Sequence, residues 1–196
     1  MLYRVLRAVV RFFMALFYPY KLAGLENVPK EGPVVLCSNH ISNLDPPLLG
    51  ITNTRQVHFM AKEELFRVPV LGGVIHRLGA FPVKRGAGDL KSLKTAIQLL
   101  QNGKVVGIFP EGTRSKTGEM RDFHVGAALI ALKGKAPIVP VSITGPFRLF
   151  RPVKITYGSP IDLTPFLQEK ANMKTAKQVT ERIMEEIRSL QNENRE

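Results

Sequence analysis

Two short polar segments hold the residues of this sequence that are best suited to chemistry. The first spans residues 39–45 (NHISNLD) and the second spans residues 109–115 (FPEGTRS). Each follows an apolar, β-branched run that is typical of a buried strand, at 33–37 and at 105–109. The polar groups are therefore expected at the C-terminal ends of strands, where open α/β sheets bind their ligands.

His40 is the candidate general base of the first segment. Histidine is the usual base at neutral pH, and it works best when an acceptor holds its second ring nitrogen. Asp45 follows five residues later across a tight turn and can supply that acceptor. Two alternatives stay open: Asp45-Pro46 is also a good helix start, and Cys37 could act with His40 as a nucleophile. We favour Cys37 as a small core residue, because it lies inside an apolar run.

The second segment offers groups that can bind an anion. Gly112 predicts a turn with a free backbone amide, Thr113 adds a hydroxyl, and Arg114 adds a planar guanidinium that matches phosphate geometry. Glu111 needs a different role, because a carboxylate repels phosphate. It could hold a substrate hydroxyl or buttress Arg114.

Further cations follow two other predicted strands. Lys62 follows the run at 56–61. Lys84 is the last residue of the run at 80–84, and Arg85 follows it. Strand ends on one edge of a sheet can converge on one cleft, so the repeated placement predicts a phosphate site. The alternative is that Lys84 and Arg85 are solvated surface charges.

Composition limits the class of protein and of partner. A chain of 196 residues with 44% hydrophobic residues is expected to form one domain with a sizeable core. Its 28 Lys and Arg residues exceed its 16 Asp and Glu residues, and the net charge of +12 implies an anionic partner. Nucleic acid, acidic lipid, a phosphorylated substrate and an acidic protein all qualify. The single cysteine excludes an intrachain disulfide and fits a reducing compartment.

The N-terminal segment, residues 2–18, is strongly apolar and contains three arginines. It is shorter than the roughly 20 apolar residues that a membrane-spanning helix needs, and it lacks the unbroken apolar region of a signal peptide. We predict an amphipathic helix that lies in the membrane interface. The alternative is a core helix with a solvated basic edge. The residues predicted to contact head groups or acyl chains are Arg4, Arg7, Arg11, Phe12, Phe13 and Phe17.

Strands and helices alternate along the rest of the chain. This pattern predicts an α/β fold: a single domain with a central, mostly parallel sheet flanked by helices. We divide the chain into a membrane-associating helix at 1–24 and a catalytic domain at 25–196. The predicted strands are 33–38, 56–61, 80–84, 105–109, 138–143 and 153–157. The predicted helices are 46–52, 63–78, 89–101, 123–133 and 176–191, and the second is expected to be interrupted near Pro69 and at Gly72-Gly73. The last helix could bind a partner or, as we prefer, cover the sheet.

Four ordered blocks of this sequence resemble the glycerolipid acyltransferases, and most closely the bacterial 1-acyl-glycerol-3-phosphate acyltransferases. The blocks are NHxSxxD from Asn39, FPVKR from Phe81, FPEGTRS from Phe109 and IVPV from Ile138. The resemblance covers about residues 25–160. The order of the first and third blocks makes it specific, since either block alone is a much weaker signal.

The resemblance implies acyl transfer from an acyl-thioester, on coenzyme A or acyl carrier protein, to the 2-hydroxyl of lysophosphatidic acid. His40 is then the base and Asp45 orients it, and Arg85 and Arg114 hold the phosphate. Lys62 and Lys84 remain candidate substrate-binding residues from their places at strand ends. Glu111, Gly112 and Thr113 position the glycerol part. No metal and no cofactor beyond the thioester co-substrate are expected. The expected location is the cytoplasmic face of the cell membrane, peripheral or monotopic, with the anionic surface as a partner.

Two alternatives remain beside this interpretation. The same chemistry could act on another lysophospholipid or on glycerol 3-phosphate. A basic nucleic-acid-binding module would also use the net charge, but the chain has no Trp, only 4 Tyr and none of the usual recognition patterns.

Overall fold

A computed structural model describes residues 2–84, 89–167 and 172–194. In these residues seven strands form one sheet in the order β1-β7-β6-β2-β5-β3-β4. The strands are β1 (Tyr20–Ala23), β2 (Val34–Ser38), β3 (Val57–Lys62), β4 (Phe81–Val83), β5 (Val105–Ile108), β6 (Ile138–Thr144) and β7 (Val153–Tyr157). All six predicted strands are present to within a residue or two, whereas β1 was not predicted.

Helices cover both faces of the sheet. They are α1 (Leu2–Phe17), α2 (Asp45–Thr52), α3 (Leu71–Arg77), α4 (Leu90–Gln101), α5 (Gly126–Gly134), α6 (Thr164–Leu167) and α7 (Met173–Glu193). The interruption predicted near Pro69 in the helix at 63–78 is confirmed, because a 3₁₀ turn at Glu63–Arg67 precedes α3. The second interruption, predicted at Gly72-Gly73, is wrong, since α3 runs through both glycines. Pro69 lies between the two pieces, and proline removes a donor that a continuous helix needs.

Five of the strands, β2 to β6, run parallel to one another, so their C-terminal ends meet at one edge of the sheet. We call this the His40 edge, because His40 follows β2. Strand β7 is antiparallel to β6, and β1 is parallel to β7. The N-terminal ends of β7 and β1 therefore lie at the His40 edge as well. The predicted α/β class with a mostly parallel sheet is confirmed.

The central strand β2 is buried on both faces. Val34 and Leu36 pack against α1 and α2, whereas Val35 and Cys37 pack against α4, α5 and α7. Burial raises the pKa of the Cys37 thiol far above its usual range, which favours its interpretation as a core residue. Helix α7 buries its apolar stripe on the sheet, so it covers the sheet as preferred above.

Helix α1 packs through one face only. Met14 is buried against the sheet and α2, and Val10 packs beside it. Six apolar side chains on the remaining surface are 48–64% exposed: Leu2, Val5, Val9, Phe12, Phe13 and Leu16. No helix within the described ranges is long and apolar enough to cross a membrane. The division at residue 24 stays a prediction, although residues 20–23 belong to the central sheet.

Candidate active site

The His40–Asp45 pair forms as predicted from the spacing. The loop after β2 brings the His40 Nδ1 to 2.7 Å from the Asp45 Oδ2, and α2 begins at Asp45. The same carboxylate oxygen also accepts hydrogen bonds from the backbone N–H groups of Ile41 and Ser42, each at 2.7 Å. Because Oδ2 accepts from these donors, Nδ1 carries its proton toward Asp45 and Nε2 is left as the acceptor. The pair is therefore arranged to take a proton at Nε2.

Asp45 is fully buried, and the His40 side chain is 14% exposed. The second oxygen of Asp45, Oδ1, has no hydrogen-bond partner among the described residues. The Asp45 carboxylate thus accepts all of these hydrogen bonds through one oxygen, and the imidazole that it holds is partly exposed at the surface. This asymmetry gives His40 one fixed orientation with its free nitrogen accessible.

The second segment holds the backbone of His40 from both sides. The Glu111 Oε1 accepts from the His40 N–H at 2.7 Å, and the His40 carbonyl accepts from the Ser115 N–H at 2.8 Å. The Glu111 Oε2 accepts from the Arg121 N–H at 3.1 Å, so both carboxylate oxygens are engaged with main-chain donors. Burial raises the pKa of Glu111, and the two N–H donors oppose that rise. Glu111 therefore joins the two segments, while its predicted contact with glycerol stays a prediction.

An aromatic stack lies under the imidazole. The His40 ring stacks on Phe109 with centroids 4.3 Å apart, and Phe109 stacks on Phe59 at 6.0 Å. Gly107 makes room for this stack, because a Cβ atom there would lie 2.4 Å from the Phe59 ring. The stack and the Asp45 bond together determine the plane of the imidazole.

The turn at Gly112 carries the groups that were predicted to bind an anion. Gly112 has a φ of 66°, and its N–H donates to the Phe109 carbonyl at 3.0 Å. A Cβ atom at this position would also meet the His124 ring at 3.1 Å. Arg114 is exposed and Thr113 is half-buried. Because the neighbouring Ser115 binds the His40 carbonyl, Arg114 and His40 lie at the same edge of the sheet.

The cations on β3 and β4 lie farther along this edge. The Lys62 Nζ is 3.2 Å from the Glu64 carboxylate, and the Lys84 Nζ is 3.9 Å from the Glu63 carboxylate. Both lysines therefore have carboxylate partners, which weakens the case for a phosphate contact. Arg85 lies outside the described residues.

The N-terminal arginines do not share one environment. Arg4 and Arg11 are exposed, but the Arg7 guanidinium donates to the Ile51 carbonyl at 3.1 Å and to the Asn53 carbonyl. Its predicted contact with head groups is wrong, because these carbonyls at the end of α2 hold it against the protein. Phe12 and Phe13 are exposed. Phe17 is half-buried beside Phe150, with ring centroids 6.2 Å apart.

Sequence reasoning missed several positioning residues. The Asn39 side chain exchanges two hydrogen bonds with the Ile143 backbone, at 2.9 and 2.8 Å, and so extends the pairing of β2 with β6. Phe59 and the Arg121 backbone were also missed, because nothing in the local pattern indicates which distant residues will meet. Across the described parts of the chain, no group of three or more His, Cys, Asp or Glu residues is arranged to hold a metal ion.

The chain is similar to known proteins of one family. The model of the acyltransferase family matches residues 20–144. A 1-acyl-sn-glycerol-3-phosphate acyltransferase of Bacillus subtilis is 34% identical over 97% of this chain and 98% of its own length. A chloroplastic enzyme of the same name from Brassica napus is 38% identical over 66% of this chain, but this match covers only 38% of that protein.

A solved structure extends the likeness to the whole fold. The 1-acyl-sn-glycerophosphate acyltransferase PlsC of Thermotoga maritima superposes with a TM-score of 0.76 at 27% identity, covering 98% of this chain and 79% of that chain. The family model spans the segments that hold His40, Asp45 and Arg114. The chain belongs to the acyltransferase family.

Proposed function

We propose that this enzyme transfers an acyl group from a thioester, on coenzyme A or acyl carrier protein, to the 2-hydroxyl of 1-acyl-glycerol-3-phosphate. The product is phosphatidic acid. The single observation that carries the proposal is the His40–Asp45 pair, with its accessible nitrogen, bonded through the His40 backbone to the segment that presents Arg114. The names of the relatives support the choice of acceptor.

In the proposed mechanism the acceptor hydroxyl attacks the thioester directly. The His40 Nε2 takes the hydroxyl proton as the new C–O bond forms, and Asp45 stabilises the resulting imidazolium. The tetrahedral intermediate then expels the thiolate, which takes the proton back from Nε2. No protein nucleophile is needed, which fits the complete burial of Cys37.

Arg114 selects the acceptor by holding its phosphate. In glycerol 3-phosphate derivatives the 2-hydroxyl is on the carbon next to the one that carries the phosphate, so the phosphate must bind close to the base. Arg114 meets this requirement because the next residue, Ser115, is bonded to the His40 carbonyl. A guanidinium can bind two phosphate oxygens at once, which also sets the direction of the glycerol.

We also propose that α1 places the enzyme on the cytoplasmic face of the membrane. Its outward surface carries the six exposed apolar side chains, with Arg4 and Arg11 exposed beside them. Fully burying such a side chain contributes about 1.5–3 kcal/mol, and these are already half-buried, so each can add about 1 kcal/mol. Each basic residue near an anionic surface adds about 1 kcal/mol.

A substrate panel tests the proposed reaction. The purified protein is assayed with lysophosphatidic acid, other lysophospholipids and glycerol 3-phosphate, each with acyl-CoA and acyl carrier protein donors. We expect product only with lysophosphatidic acid, and we expect loss of product in His40→Ala. His76→Ala is the control, because His76 is an exposed histidine on α3. Full activity in His40→Ala would refute the mechanism.

Vesicle binding tests the role of α1 separately. Phe12→Ser/Phe13→Ser is expected to reduce binding to vesicles that contain anionic lipid by about tenfold or more, because two exposed aromatic rings are lost. Met173→Ser is the control, since Met173 is 63% exposed at the start of α7, which packs on the opposite face of the sheet from α1. Unchanged binding in the double variant would show that another surface contacts the membrane.

A further inference from the structure

A groove of about 480 Å³ lies at the His40 edge, beside the site described above. Its walls include Ile41, which follows His40, and Gly118, which follows the FPEGTRS segment. Lys21 from β1 and Lys154 from β7 also line it. The groove therefore connects the neighbourhood of the base with two cations that the mechanism has not used.

These two lysines are neighbours in the sheet. Lys21 pairs in register with Lys154 on parallel strands, and such strands lie about 4.8 Å apart. Both side chains therefore point to the same face of the sheet. Within the described residues neither ammonium group has a carboxylate within ion-pair distance, unlike Lys62 and Lys84. Adjacent like charges are unfavourable by themselves, so this arrangement favours an anionic ligand.

The groove also holds an unused hydrogen-bonding group. Gln191, near the end of α7, is only 6% exposed and lines the groove. Its side chain makes no hydrogen bond with other described residues. An amide that borders the groove in this way is suited to a ligand that carries amides of its own.

Strand order places the two groups of cations on opposite sides of His40. Arg114 follows β5, which is next to β2 on one side. Lys154 and Lys21 lie on the other side, two and three strands from β2, or about 10 and 14 Å across the sheet. A transfer reaction needs two substrates to meet at the base, and this layout offers an anion site to each.

The chemistry of the substrates decides which one takes the distant site. The acceptor phosphate is on the carbon next to the one that bears the reacting hydroxyl, so it must bind near His40. The donor phosphate is separated from the thioester by the long pantetheine arm, which contains two amides. We infer that the groove of Lys21 and Lys154 binds the phosphate of the phosphopantetheine-bearing donor, with the thioester passing Ile41 to reach His40. This inference rests on the proposed function.

Coenzyme A binding tests the site without any turnover. We expect Lys21→Gln/Lys154→Gln to weaken equilibrium binding of coenzyme A by about tenfold for each lysine, measured by calorimetry on the full chain. Lys174→Gln/Lys177→Gln is the matched control, because it removes the same charge from exposed positions at the start of α7. Lys21→Arg/Lys154→Arg should retain binding. His40→Ala should also retain it, which separates this inference from the proposed reaction.

Kinetics identify the source of the phosphate. The double variant is expected to raise the KM for acyl-CoA or acyl carrier protein, whichever is the donor, while kcat and the KM for lysophosphatidic acid stay within twofold. If coenzyme A does not bind to the wild type but the KM for acyl carrier protein rises in the variant, the phosphate is that of the carrier-bound arm, and the inference holds. A raised KM for lysophosphatidic acid would assign the groove to the acceptor and overturn the inference. Unchanged constants for both substrates would also overturn it. If the double variant does not fold, the single variants Lys21→Gln and Lys154→Gln provide the same comparison.

Discussion

Replacing Asp45 by asparagine separates the charge of this residue from its hydrogen-bonding geometry. In the wild type one oxygen, Oδ2, accepts from the His40 Nδ1–H and from the Ile41 and Ser42 N–H groups. An asparagine carbonyl in the same position can accept all three bonds. The amide nitrogen then takes the place of Oδ1, which has no partner among the described residues. The substitution therefore exchanges one unpaired buried group for another and keeps the loop in place.

The loss of charge has a calculable effect on the reaction. Two unit charges about 4 Å apart near a protein surface interact by about 4 kcal/mol at an effective dielectric constant of about 20. The His40 side chain is 14% exposed, so solvent weakens this attraction, and about 3 kcal/mol is a reasonable value. In Asp45→Asn the His40 imidazolium should therefore lose about 3 kcal/mol of stabilisation, and kcat should fall by about 10²-fold.

Asp45→Ala is the contrasting variant. It leaves the three donors without their acceptor, and each unpaired buried donor costs about 1–3 kcal/mol. We expect it to lose at least about 3 kcal/mol of free energy of unfolding as well as activity, whereas Asp45→Asn should unfold within about 1 kcal/mol of the wild type. Asp162→Asn is the control, because Asp162 is exposed.

The assay combines initial rates with chemical denaturation for all four proteins. The reasoning is refuted if Asp45→Asn keeps more than a third of the wild-type kcat. It is also refuted if Asp45→Asn and Asp45→Ala are equally destabilised, because the single-oxygen geometry would then not explain the stability of the loop.

Three further predictions concern residues that position the site. Burial raises the pKa of Glu111, so the folded state binds the Glu111 proton more tightly than the unfolded state does. The stabilisation by the protonated form is lost as the pH rises through the folded pKa. Glu111→Gln should therefore gain stability relative to the wild type between pH 4 and pH 8, as measured by urea denaturation. Arg7→Gln removes charged hydrogen bonds to the end of α2 and should lower the free energy of unfolding by about 2 kcal/mol, whereas Arg4→Gln should not. Gly107→Ala places a Cβ atom 2.4 Å from the Phe59 ring, so it should cost about 1–3 kcal/mol and lower kcat by displacing the stack under the imidazole.

Each of these predictions has a contradicting result. If the difference in free energy of unfolding between Glu111→Gln and the wild type stays constant from pH 4 to pH 8, ionisation of Glu111 does not destabilise the folded state. Equal effects of the two arginine substitutions would mean that Arg7 is not a structural contact. Wild-type stability and kcat in Gly107→Ala would show that the aromatic stack is free to move.

Much of the fold was predictable because its signals are local. The β-branched runs that became β2, β5 and β6 are apolar on both faces, and this pattern is typical of central parallel strands. Asp89, the first residue of the helix predicted at 89–101, caps α4 by accepting hydrogen bonds from the Lys91 and Ser92 N–H groups. Strand β1 was missed because it is short and mostly exposed, so its residues YKLA show no buried pattern. Only its pairing with β7 makes it a strand.

The amino-acid sequence by itself determined which groups can react: the histidine and aspartate at one strand end, and the glycine turn with its arginine at another. Those properties follow from residue type and short spacing, which tertiary contacts do not alter. The tertiary structure decided how the groups are held together, through the Glu111 and Ser115 bonds to the His40 backbone. It also decided that Arg7 faces the protein and that Lys21 meets Lys154 at the His40 edge. These are contacts between residues far apart in the chain, and they form only when the strand order and the direction of β7 are set.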